Sequence, residues 1–309
     1  MMGCWFWKPS GAAKRKKKKE KEDAIERKRE EMERLKLGPT ALWTGLVLHH
    51  KDIFASHVMP KLNGTDRYFF SEANSDGRNL LEYAGVDVSK MRWYVHECSS
   101  ISTLEWCWKK MPWGKKDEHG NVKDQASFCA EVALSNKLEL LKWAREVKKC
   151  EWHERTISTA AHVGNLEMLK YCFANDCPCD ETTACPIAAG EGHLDCLRFL
   201  FEKVKPSREV ESDATIQAAG CGHLDILKYC IEEKKITECL EGCVVFASQQ
   251  GELITLKYLV EEAKAPLNNV NFVSAARFRE HYECENYLLE RGAAEPTDQQ
   301  YEDYVRLVS

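Results

Sequence analysis

The sequence lacks any long apolar run and any segment with the features of a secretory leader. No stretch approaches the ~18 consecutive apolar residues that mark a membrane-spanning helix. The missing leader, together with fifteen cysteines, favours a reducing compartment. Most of these cysteines fall in helical patterns, where a free cysteine acts as a small apolar residue. We therefore expect an intracellular protein, cytoplasmic or nuclear.

The sequence also lacks the short motifs that mark common enzymes. No glycine-rich phosphate loop follows a strand pattern, and neither a nucleophile elbow nor a metalloprotease signature is present. Aspartates and glutamates are scattered over predicted helix faces, and no pair of them is singled out for acid–base chemistry. These absences count against an enzyme, and they imply no cofactor.

Charge is distributed unevenly along the chain. The net charge of −5 argues against a nucleic-acid-binding protein as a whole. Residues 1–36 nevertheless hold thirteen Lys or Arg against seven Asp or Glu. The basic run Lys14–Lys19 reads as a nuclear import signal, as a patch for anionic surfaces, or as the solvated start of a charged helix. The alternating charges from Glu20 to Lys36 favour a solvent-exposed helix, because a coiled-coil seam requires more apolar residues.

The sequence does contain a repeat of about thirty residues. The stretch Gly192–Leu200 reads GHLDCLRFL, and it returns as GHLDILKYC at Gly222–Cys230. Weaker copies begin at Gly164 and Gly251, and Asn136 holds the equivalent position before them. These five turn residues are spaced by 28, 28, 30 and 29 residues. A pair of small residues precedes each one: Val132-Ala133, Ala160-Ala161, Ala188-Ala189, Ala218-Ala219 and Ala247-Ser248.

Each copy predicts a short helix, a tight turn and a second helix. Apolar residues after the turn recur at helical spacing, as in Leu224, Leu227 and Ile231. The turn requires a positive φ, which glycine adopts freely and asparagine tolerates. The small pairs let neighbouring helix backbones approach closely. Because one hairpin cannot bury its apolar stripe alone, the hairpins are expected to stack. The predicted fold is therefore all-α, with a solenoid of stacked hairpins over residues 124–294.

The segment Ala-Ala-x-x-Gly-His-Leu-Asp-x-Leu-Lys-Tyr resembles the core of an ankyrin repeat. The resemblance covers roughly residues 124–294 and implies an ankyrin-like α-solenoid. The period is shorter than the ~33 residues typical of that family. The family's Thr-Pro-Leu-His opening is absent, so we expect a shortened finger or a plain loop between units. The resemblance also implies that His193 and His223 hydrogen-bond across the turn, so neither is expected to be a metal ligand.

The resemblance further implies where a partner would bind. In the resembling family, the two residues after each small pair point to the concave surface. Here that row is mixed and mostly uncharged, which suits a protein or peptide better than a phosphate. The predicted binding residues are Leu134, Ser135, His162, Val163, Gly190, Glu191, Gly220, Cys221, Gln249 and Gln250.

Residues 40–90 form a separate helical segment in which residues 50–83 resemble an F-box, the module that docks a substrate receptor on a ubiquitin ligase. The resemblance is carried by Ile53-Phe54, Val58-Met59, Leu62, Phe69-Phe70 and Leu80-Leu81, whereas the opening Leu-Pro and the late Trp are absent. The alternative is an amphipathic cap over the first repeat, because a solenoid requires a cap. Two functions remain open. One is a non-enzymatic interaction scaffold. The other is a ligase receptor whose residues 50–83 bind the adaptor.

The remaining segments complete the organisation of the chain. Residues 1–39 are predicted to be a charged extension that is either disordered or a single helix. Residues 91–123 read as a degenerate first repeat and a loop, with tryptophans that fill the core. Residues 271–294 form a last unit without a turn glycine. Residues 295–309 are an acidic tail with a short helix predicted around Tyr301–Val308.

Four cysteines form the best metal candidate, namely Cys172, Cys177, Cys179 and Cys185. A structural zinc site prefers two pairs of thiolates, each separated by two to four residues, and this spacing complies only in part. Cys172 also falls at a core position of a second helix, and Cys177-Pro178 ends that helix. Packing therefore explains these cysteines, and no metal is expected.

Overall fold

A computed structural model describes residues 50–73, 75–116 and 122–308. The predicted extension 1–39, with its basic run Lys14–Lys19, lies outside the described residues.

The described part of the chain is all-helical, as the sequence predicts. It contains seventeen α-helices, and its only β-type pairing is an isolated bridge between Lys116 and Val122. None of the described helices is long and apolar enough to cross a membrane. The chain divides into two compact units, Met1–Trp93 and Tyr94–Ser309.

The first unit contains three short α-helices in its described residues. The first of them, Lys51–Ile53, continues directly through a π-helical segment, Phe54–Val58, and a 3-10 turn, Met59–Lys61. Phe54, Leu80 and Leu81 are buried, and the Phe54 ring stacks on Phe70 with 5.1 Å between centroids. The helices are α1 (Lys51–Ile53), α2 (Gly64–Ala73) and α3 (Ser75–Tyr83).

The second unit begins with a 3-10 turn, Val95–Glu97, and helix α4, Ile101–Lys110. Between Tyr94 and Lys116, α4 is the only α-helix, whereas each later unit has two. The side chains of Ser100 and Thr103 cap the start of α4 reciprocally. Trp108 and Trp113 pack against Phe128 at 5.2 and 5.7 Å between ring centroids, but Trp108 is only half-buried and Trp113 is 37% exposed.

Six helical hairpins follow α4. Asp124, Asp180 and Ser207 cap the first helices of three hairpins by accepting a backbone N–H hydrogen bond. Two of the second helices, Leu138–Lys142 and Leu224–Lys228, continue into π-helical segments, Trp143–Val147 and Tyr229–Glu233. The hairpins are α5–α6 (Gln125–Ala133, Leu138–Lys142), α7–α8 (Arg155–His162, Leu166–Ala174), α9–α10 (Glu181–Gly190, Leu194–Val204), α11–α12 (Arg208–Gly220, Leu224–Lys228), α13–α14 (Leu240–Gln250, Leu253–Glu261) and α15–α16 (Asn271–Phe278, Tyr282–Glu290).

The turns inside the hairpins have the predicted left-handed backbone. Gly164, Gly192, Gly222 and Gly251 have φ of 68°, 81°, 78° and 77°, and Asn136 has φ of 58°. In the last hairpin, Glu280 adopts φ of 61° at the equivalent position. The reversal of the chain therefore requires this conformation whichever residue is present.

The first helices form the centre of the second unit. Each packs on the first helix of the next hairpin, in chain order from α5 to α15. The small pairs are fully buried in this stack, as expected for residues that let backbones approach closely. Second helices make fewer contacts with one another. The hairpins therefore lie in a row, held mainly by their first helices.

Loops without strands connect successive hairpins throughout residues 124–294, all of which are described. This confirms the predicted plain loops. A residue with a left-handed backbone follows each of the first five hairpins: Lys149, Asp176, Lys205, Lys235 and Lys264. Such residues terminate helices, a role in which glycine is more common.

A final helix, α17 (Asp298–Val308), follows the last hairpin and packs on α15. The predicted tail helix is therefore present, and it begins three residues earlier than expected.

Candidate protein-binding surface

The candidate surface lies at the ends of the first helices, immediately before the turns. There the stacked helices bring equivalent residues of neighbouring hairpins together. The side chains of His162 and Glu191 are in contact, with 3.1 Å between Nδ1 and Oε1. A Cβ at Gly190 would lie 3.7 Å from the Cys221 sulfur. The residues predicted from three successive hairpins are thus adjacent in space.

The histidines after the turn glycines hold these helix ends in place. His193 Nε2 donates a hydrogen bond to the carbonyl oxygen of His162 at 3.1 Å, and His223 Nε2 donates to that of Gly190 at 2.8 Å. Each bond reaches back to the end of the first helix of the preceding hairpin. Asn165 also reaches back to the preceding hairpin, and its amide donates to the Asn136 side-chain oxygen at 2.8 Å and to the Asn136 carbonyl oxygen at 3.3 Å. These bonds satisfy carbonyls that a helix end leaves unpaired.

Exposure differs along the predicted row. Leu134 is 39% exposed, and His162, Glu191, Cys221 and Gln250 are exposed as well. The other predicted residues contribute less surface. Ser135 turns back to donate to the Val132 carbonyl at 2.7 Å. Val163, Gly190 and Gln249 are half-buried, and Gly220 is buried.

A small cavity of about 180 Å³ borders Leu134 between α5 and α7. Lys123 and Glu131 form an ion pair at 3.0 Å on its wall, and Arg155 and Thr159 line its other side. The end of the row nearest α5 therefore combines an apolar side chain with charges of both signs.

In the middle of the row, burial and two nearby carboxylates change the pKa of Cys221. Burial, and then the carboxylates of Glu191 and Glu252, raise the pKa of this thiol. Cys221 is the only exposed cysteine among the described residues. It is therefore an accessible thiol that is protonated at neutral pH.

Helix α17 occupies the other end of the row. Tyr304, which is only 6% exposed, accepts a hydrogen bond at its hydroxyl from Gln249 Nε2 at 2.7 Å. The Tyr304 ring also meets Phe278 edge-on, with 6.3 Å between centroids. Gln249 and Phe278 hold equivalent positions, two residues before the turn residue, in adjacent hairpins. The sequence predicted this helix but not its contacts with Gln249 and Phe278. The only signal for a buried face was the helical spacing of Tyr301, Tyr304 and Val308.

Three of the four cysteines of the metal candidate lie in the core, and Cys179 is half-buried. Cys172, Cys177 and Cys185 are buried, and a hydrogen bond with the Cys177 thiol and burial raise the pKa of Cys172 far above its usual range. Across residues 50–73, 75–116 and 122–308, no cluster of three or more His, Cys, Asp or Glu is arranged to hold a metal ion.

Comparisons with known proteins add no further assignment. No model of a protein family matches this chain, and no curated protein matches it either. The resemblances to ankyrin repeats and to an F-box therefore rest on the residues quoted above.

Proposed function

We propose that this protein is a non-enzymatic protein-binding scaffold whose row of hairpins is an ankyrin-like solenoid. The support is the packing of equivalent first helices in chain order, with buried small pairs between them. Such a row presents side chains from several hairpins on one rigid surface, so little conformational entropy is lost when a partner binds.

The observation that carries the proposal is the position of α17. A helical segment is already seated on the row, with one buried tyrosine against Gln249 and Phe278. A buried aromatic anchor of this kind dominates many protein interfaces. The rest of the row, from Leu134 to Cys221, consists of equivalent helix ends that α17 does not cover. A protein or peptide partner is therefore the expected occupant.

Affinity capture followed by mass spectrometry tests the proposal. The wild-type chain is compared with two variants. Glu191→Arg reverses a charge in the middle of the row, and Glu290→Arg makes the same change at an exposed position of α16, away from the row. A partner retained by the wild type and by Glu290→Arg should be lost with Glu191→Arg, while all three proteins keep the same melting temperature. Identical partners with all three proteins would count against the row as the binding surface.

A second candidate is a substrate receptor of a ubiquitin ligase. Its support is the exposure of two apolar side chains in the F-box-like segment, Ile53 at 56% and Val58 at 43%. Exposed apolar residues on a small helical unit suit adaptor docking. Co-purification of a cullin adaptor, lost with Ile53→Asp but kept with His57→Asp, would favour this function. Failure to recover any adaptor would favour the scaffold alone.

A further inference from the structure

The second helices carry a repeated arrangement of cations over aromatic rings. In four of the five interfaces between successive second helices, the sixth residue after one turn residue places its charge over the aromatic ring seven residues after the next turn residue. The cation-to-centroid distances are 4.0 Å for Arg198 over Tyr229 and 5.1 Å for Lys228 over Tyr258. Two further pairs, Lys142 with Tyr171 and Lys257 with Tyr287, have distances of 5.5 and 5.8 Å.

A hydrogen bond completes three of these contacts. The tyrosine hydroxyl donates to a glutamate of the previous hairpin, which lies ten residues after that hairpin's turn residue. Each tyrosine therefore contacts the previous hairpin twice, through its ring face and through its hydroxyl. The bonds are Tyr171 to Glu146 at 3.1 Å, Tyr258 to Glu232 at 2.9 Å and Tyr287 to Glu261 at 3.0 Å. Lys or Arg, Tyr and Glu thus form a recurring inter-hairpin contact.

The arrangement is broken between α8 and α10. Phe199 stands at the tyrosine position and Ala174 at the glutamate position, so the hydroxyl and its acceptor are lost together. Lys170, at the cation position, instead pairs with Glu167 on its own helix at 2.7 Å. This interface therefore lacks the hydroxyl and the carboxylate of the recurring contact. In place of Lys170, Lys203 on the same helix as the ring lies 5.8 Å from the Phe199 ring centroid.

An opening of about 460 Å³ lies where the contact is broken. Its floor is apolar, because Phe173 and Phe199 meet edge-on there with 5.5 Å between ring centroids, beside Ala174. Lys170 and Lys203 stand on its rim. We refer to these five residues as the Phe199 pocket.

We propose that the Phe199 pocket binds an acidic peptide segment of a partner protein through one large apolar side chain. That side chain rests on the Phe173 and Phe199 rings, and flanking carboxylates pair with Lys170 and Lys203. The proposal extends the scaffold function to a second surface, on different helices from the candidate row, so either can fail without the other.

Charge complementarity selects this occupant. The chain has a net charge of −5, which repels an acidic peptide from most of the surface, whereas the rim of the pocket carries two lysines. The exposed pair between Lys170 and Glu167 contributes little stability, so Lys170 can exchange its partner for a ligand carboxylate. An aromatic or large aliphatic side chain in a pocket supplies the anchor, and rim charges supply selectivity.

The test uses full-length protein and a fluorescent acidic peptide with one central tryptophan. Saturable binding is expected, and it should weaken with added salt. The same peptide with alanine in place of tryptophan should bind about thirtyfold more weakly, the loss typical of an interface anchor. Equal binding of the two peptides would overturn the proposal, since charge alone would then explain the interaction. Absence of binding would overturn it as well.

The decisive variant restores the recurring contact. Ala174→Glu with Phe199→Tyr supplies the missing hydroxyl and carboxylate, so the double variant should keep or raise its melting temperature while losing peptide binding. If it does not fold, Lys170→Glu with Lys203→Glu replaces it, with Lys264→Glu as the control that leaves binding intact. Unchanged affinity in the folded variants would refute the pocket. Self-association of the wild type, abolished by the double variant, would instead identify a second copy as the occupant.

Discussion

At the residue scale, the turn glycines meet two separate requirements. One is the left-handed backbone, and the other is space for a side chain of the next hairpin. A Cβ at Gly192 would lie 2.7 Å from the His223 ring, and one at Gly164 would lie 2.5 Å from His193. We call each such contact, Gly164 with His193 and Gly192 with His223, a Gly-His interlock. The glycine of one hairpin makes room for the histidine of the next, which bonds the helix end beside that glycine.

This interlock predicts a large effect for Gly192→Val. The β-branched side chain strains the left-handed backbone and also collides with His223, so the free energy of unfolding should fall by about 2–4 kcal/mol. Gly292 is the matched control, because its φ is 86° but a Cβ there would have no neighbour within 4 Å. In urea unfolding, Gly292→Val should lose less free energy of unfolding than Gly192→Val, because only the backbone is strained there. Equal losses would mean that the space requirement is unimportant.

Cys221 reports on the candidate surface through its pKa. Because the carboxylate of Glu191 raises this pKa, Glu191→Gln should lower it and increase the thiolate fraction at neutral pH. Alkylation of Cys221, followed by peptide mass spectrometry, should therefore accelerate. Glu290→Gln should leave the rate unchanged. A slower reaction in Glu191→Gln would contradict the electrostatic assignment.

At the scale of elements, α17 is held by few interactions. Tyr304 is its only buried residue, and Arg277 lies 5.8 Å from the Tyr301 ring. An isolated helix of this length is marginal in water, so its folding depends on the seat formed by Gln249 and Phe278. Elements with so little burial open more readily than the rest of a structure.

Removal of the tyrosine anchor should therefore release α17 without unfolding the hairpins. In Tyr304→Ala, hydrogen exchange should rise throughout residues 298–308, while α13 keeps its protection. Leu307→Ala is the control, because Leu307 is 81% exposed and should have no effect. Unchanged exchange in Tyr304→Ala would show that other contacts hold the helix.

At the scale of the whole molecule, the described hairpins contact mainly their neighbours in the row. The stability of such an array is approximately a sum of the stabilities of its units and of their interfaces. A defect in the middle then weakens interfaces on both sides, whereas a defect at one end affects a single interface. Position along the row should therefore matter as much as the chemistry of the substitution.

Two core truncations test this, one in the middle of the row and one at its end. Leu197 in α10 and Leu288 in α16 are both fully buried, and Leu→Ala at such sites costs about 2–5 kcal/mol locally. Leu288→Ala should raise hydrogen exchange mainly in residues 271–290, because only the last hairpin opens. Leu197→Ala should raise it in the hairpins on both sides. Uniform loss of protection in both variants would show that residues 94–308 unfold as one block.

Much of the hairpin row was predictable because local and neighbouring interactions repeat. Helix spacing, a turn with positive φ and buried alanine pairs are each written into every copy, so their agreement identified the units from Gly164 to Gly251. Glu280 was harder to assign as a turn residue, since only its position in the period, and not its chemistry, marks it. The left-handed lysines that end the hairpins, such as Lys205, carried no signal either.

The sequence by itself determined the helical hairpins, their turns and their buried stripes, because these depend on residues within one period. Only the tertiary structure decided the partners of side chains that reach between hairpins or from the tail. His223 bonds a carbonyl thirty-three residues earlier, and Tyr304 meets Gln249 across fifty-five residues. Such contacts depend on how helices stack, since stacking places residues side by side that no local pattern relates.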